Sequence, residues 1–145
     1  MEIKIKKLTA GARIPERGSD EAAGYDLFAC LDGDVEIAPH ETYMVHTGVA
    51  LAIPSGYFGG VYARSGLSAK EGLRPANCTG VIDADYRGEI MVALHNDGSV
   101  ARTITPGQKV AQLIIQHFES VSFTESEELP ETDRGAGGFG STGKL

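Results

Sequence analysis

The sequence predicts an all-β domain, an antiparallel sandwich or barrel built from short strands. Hydrophobic and polar residues alternate with a period of two along much of the chain, which is typical of half-buried strands rather than of helices. Residues that favour tight turns separate these runs at roughly regular intervals, as in antiparallel sheets. The 145 residues are enough for one domain with a hydrophobic core of its own.

Six runs carry the strand signal, and each begins or ends near a cluster of turn residues. The predicted strands cover residues 2–6, 34–37, 42–50, 57–63, 90–96 and 109–118. Glycine, asparagine, aspartate and proline supply the positive or fixed φ angles that tight turns need. These residues predict turns at 32–34, 54–56, 96–98 and 105–107.

One segment departs from the strand pattern and predicts a short helix over residues 65–72. Ser65 stands where an N-cap belongs, good helix formers follow, and Gly72 is a typical residue at a helix end. A helix start with Arg64, Ser65 and Gly66 could also bind an anion. Both interpretations of Ser65, the plain N-cap and the anion site, stay open on these residues alone.

Charge and composition exclude several classes of function. Thirteen basic and twenty acidic residues give a net charge of -7, which argues against nucleic-acid binding. An anionic ligand would have to be held by a few placed donors or by a metal ion. The apolar runs are too short to predict a membrane span or a secretory signal. Cys30 and Cys78 lack metal-ligand spacing, so we expect reduced, buried thiols in a cytoplasmic protein.

The end of the chain predicts two segments beyond a β domain of residues 1–124. Residues 125–133 carry five acidic side chains and Pro130, which indicates an acidic linker. Residues 134–145 include a glycine-rich strip, which is either a flexible tail or a lid that binds phosphate. Leu145 follows Lys144 where a Walker A loop needs serine or threonine, so that motif is rejected.

The acidic stretch at residues 80–88 is the best candidate for catalysis. Asp83 and Asp85 are two positions apart and would point to one face of an extended strand, although a solvated turn is the alternative. The four histidines are scattered without ligand spacing and predict surface or core positions. An aspartate acting with a divalent ion on a phosphate is therefore the simplest chemistry.

Five motifs, taken together and in order, resemble those of the trimeric deoxyuridine triphosphatases (dUTPases). They are AGYDL at 23–27, ARSGL at 63–67, GVIDADYRG at 80–88, GQKVAQL at 107–113 and RGAGGFGSTG at 134–143. The resemblance implies a jelly-roll-like antiparallel β barrel with one short helix and a flexible C-terminal lid. It also implies a homotrimer with active sites at subunit interfaces, which cleaves dUTP to dUMP and pyrophosphate with Mg²⁺.

The resemblance further assigns roles to matching residues. Asp83 matches the aspartate that activates the attacking water, Asn77 the amide that reads uracil, and Tyr86 the ring beside deoxyribose. Other nucleoside contacts match Val81, Ile82 and Met91. The matched phosphate donors are Arg64, Ser65, Gly66, Gln112, Arg134, Gly140 and Ser141, while Phe139 matches the ring that stacks on uracil. Asp26 matches a supporting position, and the triphosphate itself is the implied Mg²⁺ ligand.

One residue departs from the family pattern, because Lys109 stands where the fourth motif usually has arginine. A lysine keeps the charge but lacks the planar fork of arginine, so we expect looser local geometry. Two rival functions remain open at this point. A deaminase of the related dCTP class would release ammonia from dCTP, and a non-catalytic nucleotide sensor would be indifferent to substitution of Asp83.

Overall fold

The protein is described by a computed structural model over residues 1–138. Within that range it forms twelve strands and one short helix, which confirms the all-β prediction. The elements in chain order are β1 (Lys4–Lys7), β2 (Glu16–Arg17), β3 (Tyr25–Phe28), β4 (Val35–Ile37), β5 (Thr42–His46), β6 (Val49–Ala52), β7 (Tyr57–Tyr62), α1 (Ser65–Glu71), β8 (Leu73–Pro75), β9 (Thr79–Ile82), β10 (Met91–Asn96), β11 (Arg102–Ile104) and β12 (Lys109–His117).

The strands hydrogen-bond as four antiparallel sheets among the described residues. The largest has five strands in the order β2-β3-β12-β7-β9, and a second has the order β5-β10-β8. Two further pairs, β1 with β6 and β11 with β4, complete the set. Because β12 lies between β3 and β7, the first and fourth sequence motifs pair on the largest sheet, and the second motif follows directly after β7.

The hydrophobic core lies between the sheets and follows the predicted period of two. On β10, Val92, Leu94 and Asn96 are buried, whereas the positions between them are partly exposed. Burial of each aliphatic side chain stabilises the fold by about 1.5–3 kcal/mol relative to leaving it in water. The core cluster comprises Leu27, Ala29, Ile37, Val45, Leu51, Ile53, Val61, Leu67, Leu73, Ile90, Val92, Leu94, Ile104, Val110, Ala111 and Leu113.

The predicted strand runs correspond to real strands, with one split and several omissions. The run 42–50 forms two strands, β5 and β6, because Gly48 adopts a φ of 68° and breaks the extended chain. A side chain at that position would place a Cβ 2.7 Å from the Cβ of Ala12, so glycine is required there. The pattern missed β2, β3, β8, β9 and β11, which are only two to four residues long.

The helix α1 confirms the predicted segment but corrects its cap. Ser65 is the first helical residue rather than the N-cap; Arg64 holds the N-cap position and makes no side-chain capping bond. Gly72 ends the helix with a φ of 71° and donates its amide to the Ser68 carbonyl at 3.1 Å. A Cβ at Gly72 would lie 3.2 Å from the Gly98 nitrogen, which favours glycine on steric grounds as well.

The prediction of buried thiols is wrong for Cys78. Its side chain is exposed because the residue lies in the turn between β8 and β9, with a φ of 60°. Cys30 is half-buried, and both cysteines are free thiols.

The chain after β12 runs on without further secondary structure through residue 138. Residues 118–136 are exposed, including the predicted acidic linker at 125–133. Phe139, Gly140 and Ser141, three of the predicted site residues, lie outside the described residues. Over residues 1–138, no helix has the length and apolar character that a membrane crossing demands.

Candidate active site

The loop after β9 forms one wall of a cavity of about 200 Å³. Strand β9 ends at Ile82, and residues 83–86 turn back with the Tyr86 amide donating to the Asp83 carbonyl at 3.1 Å. Asp83 therefore lies in a turn rather than on an extended strand, which corrects one of the two alternatives for the aspartate pair. The cavity is lined by Met44, Val81, Ile82, Asp83, Tyr86, Glu89 and Met91, so five predicted site residues lie together.

The two carboxylates in this cavity differ in their surroundings. Asp83 is exposed, and no hydrogen bond from residues 1–138 to its carboxylate is found, so both oxygens can face a ligand or water. Glu89 instead accepts a bond from the Gly48 amide at 2.7 Å and lies 2.9 Å from His46 Nδ1. Asp83 is accordingly the better placed of the two to take a proton from a bound water.

Tyr86 is held over the loop by its own hydroxyl, which donates to the Glu89 carbonyl at 3.0 Å. The ring remains 42% exposed on the cavity side, so its face can contact a bound ligand. Gly88 makes this conformation possible, because a Cβ there would lie 2.4 Å from the Tyr86 hydroxyl oxygen. The spacing of tyrosine and glycine in the third motif thus has a steric cause.

Asn77 is exposed in the turn that precedes β9, at the opposite end of that strand from Asp83. Its carbonyl accepts the Thr79 amide at 2.6 Å, which fixes the turn. The side chain does not line the cavity that contains Asp83. The structure thus places the predicted base-reading amide on the same strand as the cavity but outside its lining.

A second group of predicted residues surrounds Asp26 on β3. Its carboxylate bridges two cations, with Oδ1 2.9 Å from Arg64 Nε and Oδ2 2.7 Å from Lys109 Nζ. The Asp26 side chain is only 12% exposed, whereas those of Arg64 and Lys109 are 35% and 38% exposed. Lys109, which stands where the family usually has arginine, thus contacts the Asp26 carboxylate, although through one nitrogen only.

Gln112 joins the same region from the facing strand. Its position pairs with Asp26 on one side and Tyr62 on the other, and its amide donates to the Ala63 carbonyl at 2.9 Å. A Cβ at Gly24 would lie 2.3 Å from the Gln112 side-chain oxygen, so the first motif needs glycine there. The bond from Gln112 thus fixes the backbone after β7, just before Arg64 and Ser65.

A cavity of about 390 Å³ opens beside this group and carries positive charge. It is lined by Arg64, Gly66, Leu67, Lys70, Glu71, Gln108 and Lys109. Ser65 is exposed at the start of α1, and a Cβ at Gly66 would meet nothing within 4 Å, so open space lies next to it. Three cationic side chains and one carboxylate line the cavity in a chain that is acidic overall, which suits an anionic ligand. This cavity shares no lining residue with the one around Asp83.

The remaining predicted residue, Arg134, lies away from both cavities. It is exposed in a turn, where its Nε donates to the Gly137 carbonyl at 2.7 Å. Among the described residues, no group of three or more histidine, cysteine, aspartate or glutamate side chains could hold a metal ion.

Glu89 is the site residue that the sequence did not reveal. Burial raises the pKa of its carboxyl, but the hydrogen bonds from His46 and from the Gly48 amide outweigh it, and the pKa lies below its ordinary value. Its partners stand 43 and 41 residues away along the chain, so no local spacing could indicate the contact. His46 is an exposed surface residue, one of the two positions expected for the histidines, and its ring is paired with this carboxylate.

Comparison with known proteins agrees with this geometry. The dUTPase family model matches residues 10–143. A deoxyuridine 5'-triphosphate nucleotidohydrolase of Syntrophotalea carbinolica is 47% identical over 97% of this chain and 96% of its own length. The enzyme of the same name from Corynebacterium glutamicum is 50% identical over 98% of this chain and 95% of its own length.

Solved structures show the same fold. The dUTPase of Staphylococcus bacteriophage 80alpha with dUPNHPP superposes with a TM-score of 0.90, at 31% identity and over 98% of each chain. This likeness agrees with the jelly-roll-like architecture that the motifs imply. The protein therefore belongs to the dUTPase family and is an enzyme of dUTP hydrolysis.

Proposed function

We propose that the protein cleaves dUTP to dUMP and pyrophosphate, and so removes dUTP from the nucleotide pool while supplying dUMP for dTMP synthesis. The observation that carries this proposal is the exposed Asp83 carboxylate at the edge of a partly apolar cavity. Relatives across nearly the full length are deoxyuridine 5'-triphosphate nucleotidohydrolases, and a similar phage enzyme is known with dUPNHPP.

Asp83 acts as the general base in this proposal. Its carboxylate accepts a proton from a water molecule as the water oxygen attacks the α-phosphorus, and the bond to the bridging oxygen of pyrophosphate breaks. A base must lie within hydrogen-bond reach of the water and on the side opposite the leaving group. The Tyr86 amide closes the turn at 83–86, and the exposed Asp83 side chain supports this role because a water can reach it.

The nucleoside half of the substrate would lie against the same cavity. Tyr86 offers its ring to the deoxyribose, and Val81, Ile82 and Met91 supply apolar contacts. Asn77 is exposed near the start of β9, and its amide offers both a donor and an acceptor for the uracil edge. We propose that Phe139 stacks on uracil once the nucleotide is bound.

The triphosphate would bind at the cationic cavity. Arg64 and the start of α1 at Ser65 and Gly66 face open space there, and Asp26 fixes the Arg64 guanidinium. Gln112 supports the backbone just before Arg64. Further phosphate donors in the proposal are Arg134, Gly140 and Ser141.

We propose Mg²⁺ as the cofactor, coordinated mainly by phosphate oxygens of the substrate. When bound, the ion neutralises phosphate charge and helps to orient the triphosphate. The described residues offer no three-ligand cluster of their own, which supports a substrate-borne ion.

A homotrimer with shared active sites would unite the two cavities. They share no lining residue within one chain, so a triphosphate could reach the second cavity on a neighbouring subunit. Exposed apolar side chains in the segment after β12 also support assembly: Val121, Phe123 and Leu129 are 65%, 96% and 84% exposed.

Subunit complementation tests this arrangement. Asp83→Asn disables the nucleoside cavity and Arg64→Ala the phosphate cavity, and each variant alone should release little pyrophosphate from dUTP. If the sites are shared, co-refolding equal amounts restores about a quarter of wild-type activity, because that share of sites combines two intact halves. Mixed trimers that stay inactive would contradict the shared site.

A matched control uses two variants of the same cavity. Co-refolded Asp83→Asn and Tyr86→Ala chains should give no recovery, because each chain lacks one part of the same half-site. Size-exclusion chromatography with light scattering confirms that each sample is a trimer before activity is compared.

A further inference from the structure

The carboxylate of Glu89 links the loop after β9, which contains Asp83, to the turn between β5 and β6. One oxygen accepts the Gly48 amide at 2.7 Å, and the other lies 2.9 Å from His46 Nδ1. The side chain is 23% exposed, and its lowered pKa keeps it ionised at neutral pH. A charged acceptor with two partners in a partly buried place is a strong local anchor.

The backbone next to Glu89 is fixed to the same turn. The Ile90 amide donates to the Val49 carbonyl at 2.9 Å, and the Thr47 hydroxyl donates to the Ile90 carbonyl at 2.5 Å. The turn between β5 and β6 requires glycine at position 48, because its φ of 68° is one that other residues rarely adopt. The position of residue 89 is therefore set by a turn some forty residues earlier.

The Tyr86 hydroxyl connects this anchor with the cavity. It donates to the backbone carbonyl of Glu89 at 3.0 Å, so the phenol ring takes its position from that carbonyl. Both residues line the cavity that contains Asp83. A shift of the Glu89 backbone would move the Tyr86 ring. A tyrosine ring packed against deoxyribose excludes a 2'-hydroxyl only while the ring stays close to the sugar.

We propose that Glu89, with His46 and the Gly48 amide, is a positioning element that holds Tyr86 against the sugar and sets selectivity for deoxyribose over ribose. This inference rests on the proposed function, since it assumes that the nucleoside binds at the cavity of Asp83. Glu89 is not a second general base in this account, because both of its oxygens are already engaged within the protein.

The test compares kcat/KM for dUTP and for UTP in five variants of the full-length chain. Glu89→Ala removes the anchor and should lower the ratio of dUTP to UTP activity roughly tenfold, because a displacement below 1 Å suffices to admit a hydroxyl. Glu89→Gln keeps an acceptor for the Gly48 amide and should retain most of the selectivity. Tyr86→Phe keeps the ring but loses the bond to Glu89 and should fall between them.

Asp97→Ala is the matched control, because it breaks a paired carboxylate outside both cavities. Asp97 is bound by two Arg74 nitrogens, so its loss also lowers stability, but the dUTP to UTP ratio should not change. A double variant, Glu89→Ala with Tyr86→Phe, should be no less selective than Glu89→Ala alone, since both changes act through one contact.

The outcomes separate this inference from the proposed function. A wild-type protein without dUTP hydrolysis would contradict the function itself. Active variants whose dUTP to UTP ratio equals that of wild type would overturn the positioning role alone. If Glu89→Ala fails to fold, the decision falls to Tyr86→Phe, and an unchanged ratio in that variant overturns the proposal.

Discussion

The pairing of Asp26 with two cations gives a prediction whose size can be worked from the structure. In Asp26→Asn, the amide oxygen can still accept from Arg64 Nε, which lies 2.9 Å from the present Oδ1. The new NH₂ group then faces Lys109 Nζ at the 2.7 Å now spanned by an ion pair, so two donors oppose each other. The ion pair with Lys109 is lost, and the bond from Arg64 keeps its charged donor but loses its charged acceptor.

The expected cost lies between two limits. Breaking a fully buried ion pair costs about 3–5 kcal/mol, and an exposed pair is worth about 0–1 kcal/mol. Asp26 is 12% exposed, but its partners are more than one third exposed, so solvent screens part of the interaction. We expect Asp26→Asn to lower the free energy of unfolding by about 2 kcal/mol.

Urea unfolding followed by far-UV circular dichroism measures this change, because the chain has no tryptophan for fluorescence. A double-mutant cycle with Lys109→Met isolates the pair, and we expect a coupling of about 1 kcal/mol. Steady-state kinetics should also show a fall of roughly tenfold in kcat/KM for dUTP as Arg64 loses its support. Unchanged stability together with unchanged kinetics in Asp26→Asn would refute the reasoning.

Three further predictions concern single positions. Gly24→Ala should displace the Gln112 side chain, since a Cβ would lie 2.3 Å from its oxygen. We expect a clear fall in kcat/KM with a smaller effect on the free energy of unfolding. A crystal structure of the variant with Gln112 unmoved would contradict this. Asn96→Ala removes three hydrogen bonds of a fully buried side chain and should lower the free energy of unfolding by about 3 kcal/mol, or Tm by roughly 6–12 °C in calorimetry. A change in Tm near zero would show that these bonds do not stabilise the fold. The lowered pKa of Glu89 stabilises the fold above its unfolded value near 4.3, and this contribution disappears as pH falls through the folded value. Glu89→Gln should therefore be less stable than wild type at pH 7, and the difference should shrink as pH falls through the folded pKa of Glu89; a stability difference independent of pH would count against the anchor.

The longer strands were predictable because alternation needs length to be visible. Strands β10 and β12, with six and nine residues, match predicted runs to within a residue. Strand β3 escaped the pattern, since three consecutive residues, Asp26 to Phe28, are buried and no alternation remains. Alternation of apolar and polar residues reveals a strand only where one face of that strand meets solvent.

The residues of the candidate site could be proposed from the sequence, but their spatial arrangement could not. The family resemblance assigned Asp83, Tyr86 and Met91 to one site, and the structure groups them in one cavity. Their relation to Glu89 could not be inferred, because its bonds reach across the fold to the turn at Gly48. The contact between Lys109 and Asp26 likewise depends on the register of β12 against β3, which the sequence alone leaves open.

Pyrophosphate release from dUTP by wild-type protein and by Asp83→Asn, both with Mg²⁺, tests the central claim most directly. Parallel reactions with dTTP, dCTP and UTP define the substrate, and ammonia release from dCTP tests the rival deaminase chemistry. We predict rapid release from dUTP by wild type and a loss of at least about 100-fold in Asp83→Asn, with oligomeric state and Tm preserved. Equal rates in the two proteins would contradict the role of Asp83 and the mechanism built on it.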